Sequence, residues 1–234
     1  AGAGITGPRT IFEGKRGIHS LFSAGKLADV EKYPSDHFHI LDTMFKLHPC
    51  AGTLHAAIDC VAALCEQHNL AADDIEKIEV GLIEWAIPHG AAIVTPTDAI
   101  SAQFSLAFAI ALRVITGNSH IDDFLDPALW QDPRIAEIAP KVSPVAEATP
   151  DGADELFARV TISSKRGEVF THSQIAPRGF PSLPASDNDI TEKFCALTEK
   201  ILPKTEADAL IERIFDLEHQ ADVNFLFRAL SKVA

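Results

Sequence analysis

A chain of 234 residues with 47% apolar side chains carries enough hydrophobic material for a substantial core, and too much for a disordered protein. Thirty-three acidic against twenty basic side chains give a formal charge of −13, which argues against nucleic acid and anionic membrane surfaces, since both need a basic face. No apolar run approaches the ~18 residues of a membrane span, and four cysteines without framework spacing point to free thiols in a reducing, cytoplasmic setting.

The net charge does not forbid an anionic substrate, because a pocket's local charge can oppose it. No secretory signal opens the sequence, and a start at Ala1 rather than at methionine leads us to expect a processed or truncated chain. Ala1 to Pro8 reads as a loop, and the passage from Phe12 to Gly17 as a turn holding Lys15 and Arg16 between glycines. A short helix is predicted over 18–24, then a turn at Tyr33-Pro34-Ser35-Asp36. His37 and His39 alternate as a strand would, and read as surface residues.

Chemistry concentrates between Phe45 and Asp59. Pro49 has no N–H and biases His48 away from helical geometry, so 46–52 is predicted to be irregular or extended. Thr53 is placed to cap an alanine-rich helix over 54–68, which puts His55 in its first turn and Asp59 one turn on, facing the same way. A loop carrying Lys46 and His48 to the start of that helix has the ingredients of an anion site, because free N–H groups and the helix dipole add to the positive charge. The same residues have ordinary readings as a solvated lysine and capping or surface histidines. A metal site through His48, Cys50, His55, Cys60 and Cys65 is not predicted, since no pair has Cys-x-x-Cys or His-x-x-x-His spacing. Cys60 and Cys65 read as buried structural thiols.

After a linker at 70–74, Ile78, Val80 and Leu82 alternate in a half-exposed strand over 75–85. Thr95-Pro96-Thr97-Asp98 starts a long, mostly buried helix over 99–116, ended by Gly117-Asn118. Short proline-started helices follow at 127–130 and 133–139. Residues 157–163 and 168–173 form a β-hairpin across Lys165-Arg166-Gly167. Pro177, Pro181 and Pro184 mark a linker, and helices over 190–202, 206–215 and 223–231 would turn Leu197, Ile201, Leu210, Ile211, Ile214 and Leu217 inward. The composite is α+β: three strands with helices on one side, flanked by helical or looped ends.

Several phrases resemble one family, MmgE/PrpD. They are Gly4-Ile5-Thr6-Gly7-Pro8 with the glycine-bounded turn after it, Lys46-Leu47-His48-Pro49-Cys50 through His55-Ala56-Ala57-Ile58-Asp59, Ile75 to Val80, Ala102-Gln103-Phe104-Ser105 through Gly117, and Val160 to Glu168. The resemblance implies a large all-helical domain plus an inserted small α+β lid. Residues 1–45 would belong to the helical domain, 46–177 to the lid, and 178–234 to helices returning to the helical domain. It also implies a length about half that of family members, with an N-terminal half that carries further site residues lying elsewhere, as another chain or in a longer protein.

By resemblance, such proteins are homodimers that act without metal or organic cofactor on small di- and tricarboxylates, as 2-methylcitrate dehydratases, cis-aconitate decarboxylases or an iminodisuccinate epimerase. Lys46 matches the family's lid-edge lysine and His55 the histidine after it, so Lys46, His55 and His48 are the expected catalytic residues. Lys46, Cys50, Thr53 and Ser105 are the expected substrate-binding residues. Ala51 and Phe108 stand where the decarboxylases carry a histidine and a tyrosine. A dehydratase or decarboxylase is expected, with an epimerase, which those two departures favour, or a fragment or split subunit inactive by itself, as alternatives.

Overall fold

The computed structural model describes residues 7, 9–11, 38–90 and 93–230. The predicted turn around Lys15 and Arg16, the helix over 18–24, the turn at 33–36 and His37 lie outside the described residues. The chain divides into two compact units, 1–42 and 43–234. In the first, the expected strand-like alternation ending at His39 is replaced by a 3-10 turn over His39–Asp42, closed by the Leu41 N–H donating to the Phe38 carbonyl (2.9 Å).

The second unit is built on a four-stranded mixed sheet: β1 (Ile75–Ile83), β2 (Val142–Glu147), β3 (Ala158–Ser164) and β4 (Val169–Gln174), in the order β2-β1-β3-β4. β1 pairs antiparallel with β3 (Val80 opposite Val160) and parallel with β2 (Ile78 beside Val142). Ile78, Val80, Val160 and Ile162 are fully buried on one face. The other face is polar and carries the Arg159–Glu147 ion pair and the Thr161–Thr171 hydroxyl contact at 3.0 Å. Three strands were expected. The fourth, β2, escapes the alternation rule because it is an edge strand containing Pro144, a residue tolerated only where ladder donors are dispensable.

Helix α1 (His55–His68) packs on β3 and β4. The predicted single helix over 99–116 is two, α2 (Ala99–Phe104) and α3 (Leu106–Thr116). Ser105 between them is extended, and its hydroxyl accepts from the Phe108 N–H (3.0 Å) while the Leu106 N–H turns aside to the Gly90 carbonyl (3.0 Å). α3 lies beside α1, its Leu106 to Leu112 run buried throughout, and Phe108 meets Phe124 edge-on at 5.9 Å. Short helices α4 (Ile121–Leu125), α5 (Pro127–Trp130) and α6 (Pro133–Ile138) lead into β2.

The C-terminal stretch forms α7 (Asp187–Thr198), α8 (Lys204–Phe215) and α9 (Asn224–Leu230). Their predicted inward faces are not inward here: Leu197, Ile201, Ile214 and Leu217 are 45, 51, 40 and 43% exposed, and only Leu210 and Ile211 are half-buried. Among the described residues no element covers them. No described helix is long and apolar enough to cross a membrane.

Candidate functional site

The passage from Phe45 to Ala51 is bent and sewn into place by backbone bonds. The Phe45 N–H donates to the Gly179 carbonyl (2.8 Å), the Ala51 N–H to the Gln103 carbonyl (2.9 Å), and the Gln103 side-chain amide to the Pro49 carbonyl (2.7 Å). Gly179 has a φ of +94°, and a Cβ there would strike the Phe45 carbonyl oxygen. Gly179→Ala should therefore push away the segment that carries Lys46. We expect a loss of about 2–3 kcal/mol in a denaturant melt; an unchanged midpoint would show that this approach is not held.

Gly52–Leu54 form a 3-10 turn, and α1 begins only at His55. Thr53 was expected to cap the helix. Instead its hydroxyl is buried without a hydrogen-bond partner. Lys46 and His55 converge on one atom: the Cys50 carbonyl oxygen accepts from Lys46 Nζ at 3.3 Å and from His55 Nε2 at 3.4 Å. A carbonyl can only accept, so Nε2 carries the imidazole proton and Nδ1 presents a bare lone pair. That Nδ1 is buried and has no partner. Burial, with the nearby His48, lowers the His55 pKa to about 3, so the ring is neutral near pH 7.

His48 is turned the other way. Its Nε2 lies 3.0 Å from Asp59 Oδ1, its Nδ1 2.6 Å from Ser119 Oγ, and its ring meets His55 edge-on at 5.1 Å. Asp59 lies one turn on from His55 in α1, as expected, and meets His48 because the loop folds back over the first turns of that helix. Arg178 (3.2 and 3.4 Å) and Gln174 (3.2 Å) complete the carboxylate's partners. Burial opposes ionisation of Asp59, but the His48 and Arg178 hydrogen bonds and charges outweigh it and hold the group well below the usual carboxylate range.

The remaining predicted residues divide. The Cys50 thiol is buried and pushed up to about 12, so it stays protonated and is a packing and neutral contact group rather than a nucleophile. Ser105 spends its hydroxyl on the Ile93 carbonyl and the Phe108 N–H, and no hydrogen bond joins it to the lysine–histidine cluster. Cys60 is buried as expected and Cys65 half-buried. A cavity of about 460 Å³ opens beside the cluster, its wall including His48, Arg113, Ser119, Arg178 and Lys193. Lys46, Cys50 and His55 are not in that wall, and His48 is the link between them and it. Ser119, Asp59, Arg178 and Gln174 were not singled out as site residues from sequence. Only Asp59, one turn on from His55, offered a local signal.

An α+β sheet covered on one face, with a lysine and a histidine brought to the head of its first helix, defines the class. The chain belongs to the MmgE/PrpD family: the model of the MmgE/PrpD C-terminal domain matches residues 48–217. It is similar to the cis-aconitate decarboxylase of Mus musculus, 24% identical over 239 residues that cover 97% of this chain and 48% of that protein. The cis-aconitate decarboxylase of Homo sapiens is also 24% identical, over 195 residues covering 79% of this chain and 39% of that protein. The chain spans about half the length of the curated relatives it matches.

Proposed function

We propose that this chain is the C-terminal portion of a lyase that removes CO2 or water from a small di- or tricarboxylate, without metal or organic cofactor. The convergence of Lys46 and His55 on the Cys50 carbonyl carries the reading. Lys46, exposed and bonded only weakly to that carbonyl, is the cation that takes a substrate carboxylate. His55 Nδ1 is a lone pair kept free for a proton next to that carboxylate. An anion bound at Lys46 favours the protonated imidazole, so substrate itself would raise the basicity that burial has lowered. The relatives named cis-aconitate decarboxylase support the reaction class.

The partner that completes the site is a polypeptide equivalent to the other half of those relatives, in a dimeric assembly. The bare apolar faces of α7, α8 and α9 support it. The test starts from the native mass of the purified protein, to identify any companion, and then assays the assembled enzyme with cis-aconitate. Lys46→Ala is expected to lower kcat/KM by roughly 10²- to 10⁴-fold; wild-type rates would overturn the reading. A second reading is epimerisation at a carbon beside a carboxylate. It is favoured by Ala51 and by Phe108, a fully buried core ring with no hydroxyl to offer. Solvent deuterium entering substrate without loss of CO2 or water would select it.

A further inference from the structure

The contacts of His48 form a chain that the proposed lyase chemistry does not use: Ser119 Oγ to Nδ1 at 2.6 Å, and Nε2 to Asp59 Oδ1 at 3.0 Å. The roles follow from the partners. An ionised carboxylate only accepts, so Nε2 bears the proton, Nδ1 is the acceptor, and the Ser119 hydroxyl donates to it. Asp59 is fixed from two further directions by Gln174 and Arg178, which keeps its oxygen on the imidazole. All three side chains are about nine-tenths buried, yet Ser119 and His48 stand in the wall of the 460 Å³ cavity. A hydroxyl, a base that accepts its proton and a carboxylate that orients the base, opening on a cavity, are the parts of an activated nucleophile.

We propose that Ser119, His48 and Asp59 form a nucleophilic acyl-transfer site opening on this cavity and cleaving a small, polar ester or thioester. Ser119 Oγ bonds to the acyl carbon as its proton passes to His48 Nδ1. The bond to the leaving oxygen or sulfur breaks, and the leaving group takes that proton from His48. Water, deprotonated by the same nitrogen, then attacks the acyl-serine, releases the acid and restores the hydroxyl. Among the described residues, two cations of the wall, Arg113 and Lys193, hydrogen-bond only to the backbone carbonyls of Gly117 and Lys46, leaving their charge to act on the developing oxyanion. The other two basic side chains are committed, Lys200 to Asp122 and Arg178 to Asp59 and Asp189. With Asp123, Glu192 and Glu199 also on the wall, the lining is mixed in charge, which suits a polar acyl group better than a fatty one.

The test needs only this chain, so its failure leaves the lyase reading standing. The folded protein, checked by a cooperative thermal melt, is treated with a fluorophosphonate probe and the adduct located by peptide mass. We expect one phosphonyl group on Ser119 with fluoride lost, no labelling of Ser119→Ala, and labelling slowed by roughly 10³- to 10⁴-fold in His48→Gln and Asp59→Asn. A nitrophenyl acetate burst stoichiometric with the chain should accompany it. Where a variant fails to fold, the labelling rate of the parent against pH decides: a rise through one deprotonation supports the proposal, and a flat profile overturns it. An unlabelled folded parent, a label elsewhere, or His48→Gln labelled as fast as the parent would also overturn it.

Discussion

Asp59→Ala is expected to destabilise the fold by about 3 kcal/mol, the scale for stripping one partner from a buried charged network. The carboxylate is 9% exposed and serves His48 from α1's own loop, Gln174 from the end of β4 and Arg178 from the following linker. Its removal leaves the buried Nε2–H of His48 without an acceptor. It also removes the carboxylate that joins His48 of the 45–51 loop to Arg178 of the linker, leaving the Phe45–Gly179 backbone bond. Arg178 is 45% exposed and can return to water, which keeps the cost from rising further. Asp59→Asn, which keeps shape and one oxygen, should cost less than half as much. Equal chemical-denaturation midpoints for Asp59→Ala and the parent would show that the network is ornamental.

A steep loss of stability on mild acidification is the second expected result. His55 is neutral and buried in the fold, with its pKa lowered from 6.5 to about 3. The unfolded chain therefore takes up a proton below about pH 6.5 that the folded chain refuses, and stability falls by about 1.4 kcal/mol per pH unit from there down to about pH 3. Asp59 works in the same direction at lower pH. Its pKa is depressed in the fold, so its contribution is complete above the ordinary carboxylate value near 3.8 and is lost as pH falls below it. The two act in successive windows, histidine first. His55→Gln should remove the upper part of the slope, and urea midpoints followed between pH 7 and 4 would report it. A parent whose midpoint is flat over that range would mean that His55 is protonated in place.

What the sequence made legible, and what it did not, follows from the range of the forces involved. β1, β3 and β4 alternate over a buried face, and Gly167, at a φ of +84°, marks the turn between the last two, so all three could be read locally. β2 could not, because an edge strand with a proline has little alternation to show. The break at Ser105 was hidden because a serine inside an apolar run reads as helix punctuation. Its cap bond to the Phe108 N–H is local, but the Leu106 N–H is drawn off by the Gly90 carbonyl, which only the fold brings near.

At the site, Lys46 and His55 are nine positions apart on one loop and helix, and the local reading placed them together. His48, Ser119 and Arg178 are a different matter. Ser119 lies 71 positions from His48, and Arg178 119 positions from Asp59. Nothing but the packing of α3, β4 and the linker around α1 announces that they meet.

The sheet's connectivity also sets an order of assembly. β3 and β4 meet across a short turn and can close quickly, with little loss of chain entropy. The parallel ladder of β1 and β2, by contrast, must draw together two strands separated by everything from 84 to 141, including α2 to α6. Both neighbours of the central strand β1 are distant in sequence, since Ile78 lies beside Val142 of β2 and opposite Ile162 of β3. Both ladders of β1 therefore carry the larger loop-closure cost, and the β3–β4 hairpin the smaller one.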